Sequence, residues 1–415
     1  MNDAQVAELS AWITEAGLAG LSEGALLRGF CERLDAVGMG LARVTVVIDT
    51  LHPIYEGRAF RWRRGEGDPA VVEYGRTNEG DALANWQRSP FYDLLQSGGS
   101  ELRRCLCAGD PADFPIVAEH HAEGMTDYLA LVNRFAADGT IGEMDCVYSS
   151  WSTDRPDGFG EGGIAALRRL APFLALAVKC ASLTRIAETL VETYLGRDAG
   201  RRVLSGRIER GVADRIDAVM WFSDLQGFTR ITDSAPPEQI IPFLNDYHGA
   251  VVSAVHDGGG DVLKLIGDGT LAIFTAGDRG TACRSALAAA KQARRRVAEL
   301  NRRRADEGLP TSRLYLGMHV GEVFYGNVGS ENRLDFTVVG PAVNEVSRIA
   351  AMCRSADRDL LLSAAFADAF HRASPDAARR GLLVSVGRYA LRGVGRPQEL
   401  FTLDPGLDAA KGLSQ

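Results

Sequence analysis

Apolar residues recur three and four apart from Ala11 to Leu34, a helical period, with a break at Gly20-Leu21-Ser22-Glu23 where Ser22 is placed to cap a second helix. The period then shortens to that of strands. Leu41 to Ile48 is β-branched, and Gly57 to Trp62 supplies a partner. Tyr128–Phe135 and Ile141–Ser150 flank Asp138-Gly139, a hairpin turn signal. From Phe159 to Leu195 the pattern returns to helix, with Ile164, Leu167, Leu170, Leu174, Val178, Ile186 and Leu190 among its apolar positions. Pro172 cannot donate to the preceding turn, so it is expected to kink this helix or split it. The stretch outlasts what one small domain needs, and it predicts a signalling helix paired with its copy as a dimer coiled coil.

Residues 197–215 are charged, with Arg197, Arg201, Arg202, Arg207, Arg210 and Arg215, and read as a connector. Short apolar runs resume after it at Ala218–Phe222, Asp261–Ile266, Thr270–Phe274 and Phe336–Val339. The expected organisation is an α/β multidomain (α+β) chain. A regulatory module occupies 1–158, a signalling helix 159–196, the connector 197–215, a second α/β domain 216–403, and a polar tail 404–415.

Composition narrows the partners. The 415 residues allow two or three domains, and 46 Lys+Arg against 54 Asp+Glu give a net charge of −8. That balance argues against a general electrostatic grip on nucleic acid or anionic membrane. Arg294–Arg296 and Arg302–Arg304, in an Ala-rich stretch, then read as a solvated helix face. No run approaches about 18 uninterrupted apolar residues, and the first residues lack signal-peptide character. The seven cysteines are odd in number and scattered, so a cytoplasmic, reducing setting with no transmembrane segment is expected. His120-His121 and Cys105-Leu-Cys107 lack a complete ligand spacing and read as structural.

Candidate chemistry begins where the apolar run Ala218–Phe222 meets Ser223-Asp224-Leu225-Gln226-Gly227-Phe228-Thr229. A strand-end carboxylate followed by Gly and Thr can hold a hard cation at Asp224 and an anion at the amides of Gly227, Phe228 and Thr229. Taken alone, Asp224 is as well explained as a helix cap. A second carboxylate, Asp268, sits at the tip of the hairpin Asp261–Phe274 beside Gly267 and Gly269. Two strand-end aspartates can share a two-metal clamp for nucleotidyl transfer. Lys264 interrupts the preceding apolar run, either snorkelling from an edge or bonding a base or phosphate. After Pro341, an expected first helical residue, Val343, Val346, Ile349, Ala350 and Cys353 cluster on one side of a helix. Asn344 and Arg348 share the other side at i,i+4.

These pieces, Phe-Ser-Asp-Leu-Gln-Gly-Phe-Thr from Phe222, Lys-Leu-Ile-Gly-Asp-Gly from Lys264 and Asp-Phe-Thr-Val-Val-Gly-Pro-Ala-Val-Asn-Glu-Val-Ser-Arg from Asp335, resemble the catalytic domain of class III adenylyl and guanylyl cyclases, a ferredoxin-like, palm-type fold. The resemblance covers about 216–401. It implies that Asp224 and Asp268, with the Leu225 carbonyl, hold two Mg²⁺ or Mn²⁺ ions per site. It further implies that Asn344 orients the ribose and Arg348 stabilises the transition-state phosphate. Lys264 and Thr337 then read the purine, and Lys with Thr favours ATP over GTP. Arg392 stands where the family places a triphosphate-binding lysine, a departure that keeps the charge. Family sites form at a dimer interface, so one complete residue set implies a homodimer. Guanylate cyclase and a non-catalytic nucleotide-binding or dimerisation module remain as alternatives. Diguanylate cyclase is disfavoured because Gly259-Gly260-Asp261 is followed by Val262-Leu263, without the needed acidic residue. The N-terminal half resembles a GAF-type sensory domain, which implies a small-molecule effector.

Overall fold

Ser22 accepts from the Ala25 amide at 3.4 Å and so starts the second helix of the chain. The computed structural model describes residues 1–135 and 141–405. The expected Asp138-Gly139 turn and positions 406–415 of the polar tail lie outside the described residues. The chain divides into two units, Met1–Leu190 and Val191–Gln415.

In the first unit, α1 (Asp3–Leu18) and α2 (Glu23–Ala36) precede β1 (Leu41–Asp49), β2 (Gly57–Arg63) and β3 (Ala70–Tyr74). Then come α3 (Gly80–Gln87), α4 (Pro90–Ser97), β4 (Glu101–Arg104), a 3₁₀ turn Leu106–Ala108, α5 (Pro115–Ala122), β5 (Asp127–Arg134) and β6 (Cys146–Thr153). The six strands form one antiparallel sheet in the order β3-β2-β1-β6-β5-β4. Leu129 and Leu131 of β5 point to the layer built by α1, α2 and the long helix α6 (Gly160–Leu195). Tyr128, Ala130 and Val132 point to the other layer, with Leu94, Leu106 and Val117. Both faces of β5 are therefore covered, which is why its apolar run does not alternate with polar residues.

Of the two outcomes expected at Pro172, a kink or a split, the split does not occur: α6 stays one helix through it. Pro172 sits on the exposed side, while Leu170, Ala171 and Leu174 around it are buried. Packing on that inner face outweighs the lost backbone hydrogen bond. Among the described residues α6 is also the one helix long and apolar enough to cross a membrane, and 44% of its most apolar stretch is buried within the protein.

The second unit opens with α7 (Arg197–Leu204), inside the stretch expected to be a bare connector. Ala199 of α7 is buried, and Leu195 and Val203 pack on the same apolar cluster as Leu263, Tyr325, Phe336 and Val346. Next come β7 (Ala213–Leu225), α8 (Phe228–Ser234), α9 (Pro237–Asp257), β8 (Asp261–Ile266), β9 (Gly269–Phe274), α10 (Arg279–Asp306) and β10 (Leu314–Gly329). They are followed by β11 (Leu334–Val339), α11 (Pro341–Ala356), β12 (Leu360–Ser363), α12 (Ala364–Ala373), α13 (Pro375–Arg379), β13 (Leu383–Tyr389) and β14 (Gln398–Leu403). The strand order is β13-β14-β12-β10-β7-β9-β8, with β11 paired to the far half of β10. Its centre, β7-α9-β8-β9-α10-β10 in the order β10-β7-β9-β8, is a ferredoxin-like βαββαβ unit.

The arginine-rich face of α10 is not simply solvated. Arg304 is 3% exposed, paired with Asp246, bonded to the Pro310 carbonyl at 2.8 Å and set over the Phe243 ring. Arg296 reaches Asp257 at 2.6 Å. These intrachain pairings place part of the cluster in the packing of α9 against α10.

Candidate active site

The end of β7 and the β8–β9 hairpin bring the two candidate carboxylates together. β7 pairs with β9 through Ser223 and Thr270, one residue from Asp224 and two from Asp268. Gly267 turns the hairpin at φ 62°, a left-handed conformation that favours glycine. The Leu225 amide then donates to Asp268 Oδ2 at 3.1 Å. Burial, and after it the adjoining Asp268 carboxyl, hold Asp224 well above the usual carboxylate range, while the Leu225 amide and Arg354 oppose the shift. Such a pair of oxygen donors is suited to a hard divalent cation, whose charge offsets the crowding of two carboxylates. Leu225 is 5% exposed, so its backbone is fixed by the core beneath it.

Gly227 adopts φ 74° at the start of α8, and the first backbone bond into this helix runs from the Ile231 amide to the Gly227 carbonyl at 3.1 Å. The amides of Gly227, Phe228 and Thr229 precede that bond. Phe228 is anchored by a stack on Phe243 with centroids 6.0 Å apart.

Lys264 does not merely snorkel. Its Nζ donates to Asp335, forming an ion pair between β8 and β11. Asp335 and Thr337 are two apart on β11 and so share a face of the strand. Thr337 is buried opposite Gly326, between Phe336 and Val338, which belong to the apolar cluster.

On α11, Val346, Ile349, Ala350 and Cys353 are buried, Asn344 is exposed and Arg348 is partly exposed. The Arg348 guanidinium lies along the loop Leu391–Gly395: a Cβ added at Gly393 would stand 3.4 Å from one of its terminal nitrogens. Gly393 has φ 70°. Arg392 is the neighbour of that glycine, so the fold brings the loop of Arg392 to Arg348. Among the described residues, no hydrogen bond or ion pair links Asp224 and Asp268 to Lys264, Thr337, Asn344 or Arg348.

Three further residues shape this region. His248 of α9 reaches the hairpin, with Nε2 3.1 Å from the Gly267 carbonyl and Nδ1 3.3 Å from Thr270 Oγ1. Asp335 holds Lys264, and Gly393 leaves room for Arg348. A lone His on a helix carries no sequence signal, and neither does one Gly among many. Asp335 was legible only as part of the strand motif that contains Thr337.

Residues 212–381 match the family described as the adenylate and guanylate cyclase catalytic domain. An adenylate cyclase of Anabaena cylindrica is 32% identical over 156 residues, covering 38% of this chain and 31% of that protein. An uncharacterized Mycobacterium tuberculosis protein is 35% identical over 216 residues, covering 51% of this chain and 37% of that protein. The chain thus spans about a third of the length of the curated relatives it matches. Among solved structures, the guanylyl cyclase Cya2 aligns with a TM-score of 0.40 at 26% identity, over 46% of this chain and 93% of that one.

Proposed function

We propose that this chain, whose residues 212–381 are an adenylate and guanylate cyclase catalytic domain, converts ATP to 3′,5′-cyclic AMP and pyrophosphate in shared sites of a homodimer. The observation that carries the reading is the meeting of Asp224 and Asp268, drawn together across the Leu225 amide. With the Leu225 carbonyl they form an oxygen set for two Mg²⁺ or Mn²⁺ ions. When bound, these ions supply Lewis acidity towards the ribose 3′-hydroxyl and neutralise triphosphate charge.

The chain's own residues bind and orient. The amides of Gly227, Phe228 and Thr229 face the phosphates. Lys264 donates to adenine N1, and the Thr337 hydroxyl accepts from the 6-amino group. Asn344 bonds the ribose, Arg348 receives charge developing on the α-phosphate, and Arg392 binds the triphosphate bidentately. Lys264→Glu with Thr337→Cys shifts the preferred nucleotide towards GTP; an unchanged nucleotide profile sinks the assignment of base recognition.

Exposed apolar side chains support pairing with a second copy. Leu265, Ile266 and Val339 are about half exposed on the strands that carry Lys264 and Thr337, and Phe324, also about half exposed, lies opposite Val339 on β10. In α6, Phe173, Leu176, Cys180, Leu183, Ala187 and Leu190 follow the alternating spacings of three and four of a dimer coiled coil; Phe173, Leu176, Cys180 and Ala187 are exposed, while Leu183 and Leu190 also pack on the core of the N-terminal unit. Cyclic AMP formation from Mn-ATP by the purified chain tests catalysis, and no cyclic nucleotide from ATP or GTP would leave a binding module. Asp224→Ala and Arg348→Ala chains, each inactive alone, regain part of the activity when mixed. A confirmed heterodimer with no recovery sinks the shared site.

The N-terminal unit serves, on this reading, as a GAF-like regulatory domain that takes a small-molecule effector and acts through α6. Its antiparallel sheet covered on both faces supports that reading. The seven free cysteines suit a cytoplasmic setting. Equal activity of the full chain and of one starting at Val191, under every condition tried, counts against regulation.

A further inference from the structure

The sequence pattern Cys105-Leu-Cys107 is too short for a metal ligand set, yet the fold builds its two thiols into a pair. Cys105 follows β4 directly, and the Leu106–Ala108 turn is closed by Gly109 at φ 89°. The Cys105 amide donates to Asp110 Oδ2 at 2.8 Å, and its carbonyl accepts from the amides of Ala108 and Asp110 at 3.0 and 3.2 Å. The Cys107 amide donates to the Thr126 carbonyl at 2.9 Å, and Leu106 between them is buried in the layer beneath. Both backbones are therefore pinned. The two Sγ atoms stand 3.3 Å apart, with Cys107 exposed and Cys105 partly so. Of the other five cysteines, four are buried and only Cys180, on α6, is exposed.

We propose that Cys105 and Cys107 are a dithiol redox site of the N-terminal unit, oxidised by low-molecular-weight disulfides to an intramolecular bridge. The exposed Cys107 thiolate attacks one sulfur of the disulfide, forming a mixed disulfide and expelling one thiolate. The Cys105 thiolate, held beside it, attacks the Cys107 sulfur and expels the second thiolate. The protein loses two electrons and two protons, and the oxidant leaves as two thiols. The position is consequential because β4 also holds the start of α6. Arg103 binds Asp127 at 2.8 Å and Glu161 at 2.8 Å, Asp127 accepts from the Phe159 amide at 3.1 Å, and Glu101 grips Arg168 through two bonds of 2.6 Å. A bridge that tightens the turn after β4 acts next to that knot.

The test equilibrates the full chain with mixtures of reduced and oxidised glutathione, quenches with acid and maps thiols by mass spectrometry. The expected result is a peptide holding both cysteines that has lost two hydrogens, reversible by dithiothreitol. Cys107→Ser and Cys105→Ser each abolish the bridge, and Cys105→Ser keeps glutathione on Cys107; Cys180→Ser leaves the bridge intact. The pair in the folded chain should bridge at least about tenfold more readily than in concentrated urea, since the turn preorganises it. Only mixed disulfides in the wild type, or equal bridging folded and in urea, overturns the proposal.

Discussion

His248 Nε2 lies 3.1 Å from the carbonyl oxygen of Gly267, the residue before Asp268. A carbonyl only accepts, so Nε2 carries the proton and donates. In the neutral ring Nδ1 then accepts from the Thr270 hydroxyl, 3.3 Å away. One imidazole thus clasps both sides of the turn that presents Asp268, while the Leu225 amide orients the carboxylate itself.

Replacing His248 by Phe keeps the bulk and removes both bonds. Each bond contributes about 1 kcal/mol, so the concentration of Mn²⁺ needed for half-maximal binding should rise by about fivefold where one bond's worth reaches the carboxylate and by about thirtyfold where both do. Mn²⁺ electron paramagnetic resonance, without nucleotide, reads this directly. Unaltered Mn²⁺ affinity would show that the hairpin holds its shape without the clasp.

The ion pair of Lys264 with Asp335 makes a second prediction. Asp335 fixes the ammonium on the face of β11 that also carries Thr337, where on the proposed reading it meets a purine edge. Asp335→Ala releases a four-carbon side chain whose freedom must then be lost on binding, at about 1 kcal/mol. The KM for ATP should rise about fivefold with kcat nearly unchanged, and discrimination against GTP should weaken. A fall confined to kcat contradicts a role in base recognition.

Much of this was readable from residue order, for reasons that differ by element. The strand–Asp–Gly–helix passage at Asp224 and the hairpin tip at Asp268 are local patterns, fixed by turn chemistry within a few residues. The helical face bearing Asn344 and Arg348 follows from period alone. What pattern could not supply was partnership at a distance. His248 meets Gly267 from 19 residues away, and Lys264 meets Asp335 from 71. Pro172 does not split α6, because the rule for an isolated helix takes no account of the buried face that carries the helix through it.

Asp49, on β1, links stability to pH. Burial comes first in pushing its carboxyl up to about 6, and Glu56, Asp145 and Glu143 add to it against the hydrogen bond from the Tyr74 hydroxyl. A raised acid favours its neutral form in the folded state. Its contribution to stability is present below pH 4 and lost as pH rises through about 6. Asp49→Asn keeps an acceptor for Tyr74 and cannot ionise. The variant should exceed the wild type by at most about 3 kcal/mol at pH 7, and the difference should close towards pH 4. Urea titrations followed by tryptophan fluorescence measure it; a gap that widens on acidification has the wrong sign.

Gly393 and Arg348 provide a test of transition-state charge. At φ 70° an alanine is strained by roughly 1–2 kcal/mol, and its methyl group would sit 3.4 Å from an Arg348 terminal nitrogen. At that distance the methyl is in ordinary contact with the guanidinium, so the strain lies in the left-handed backbone, and a loop that shifts to relieve it takes its contact with Arg348 along. Because Arg348 is assigned to charge that develops on the α-phosphate, Gly393→Ala should lower kcat about tenfold or more while KM for ATP changes less than about twofold. Gly395→Ala is the unstrained comparison in the same loop: its backbone is not left-handed and no atom lies within 4 Å of its added Cβ, so its kinetics should stay those of the wild type. Equal losses in both variants would mean that loop stiffness, rather than the placement of Arg348, sets the rate.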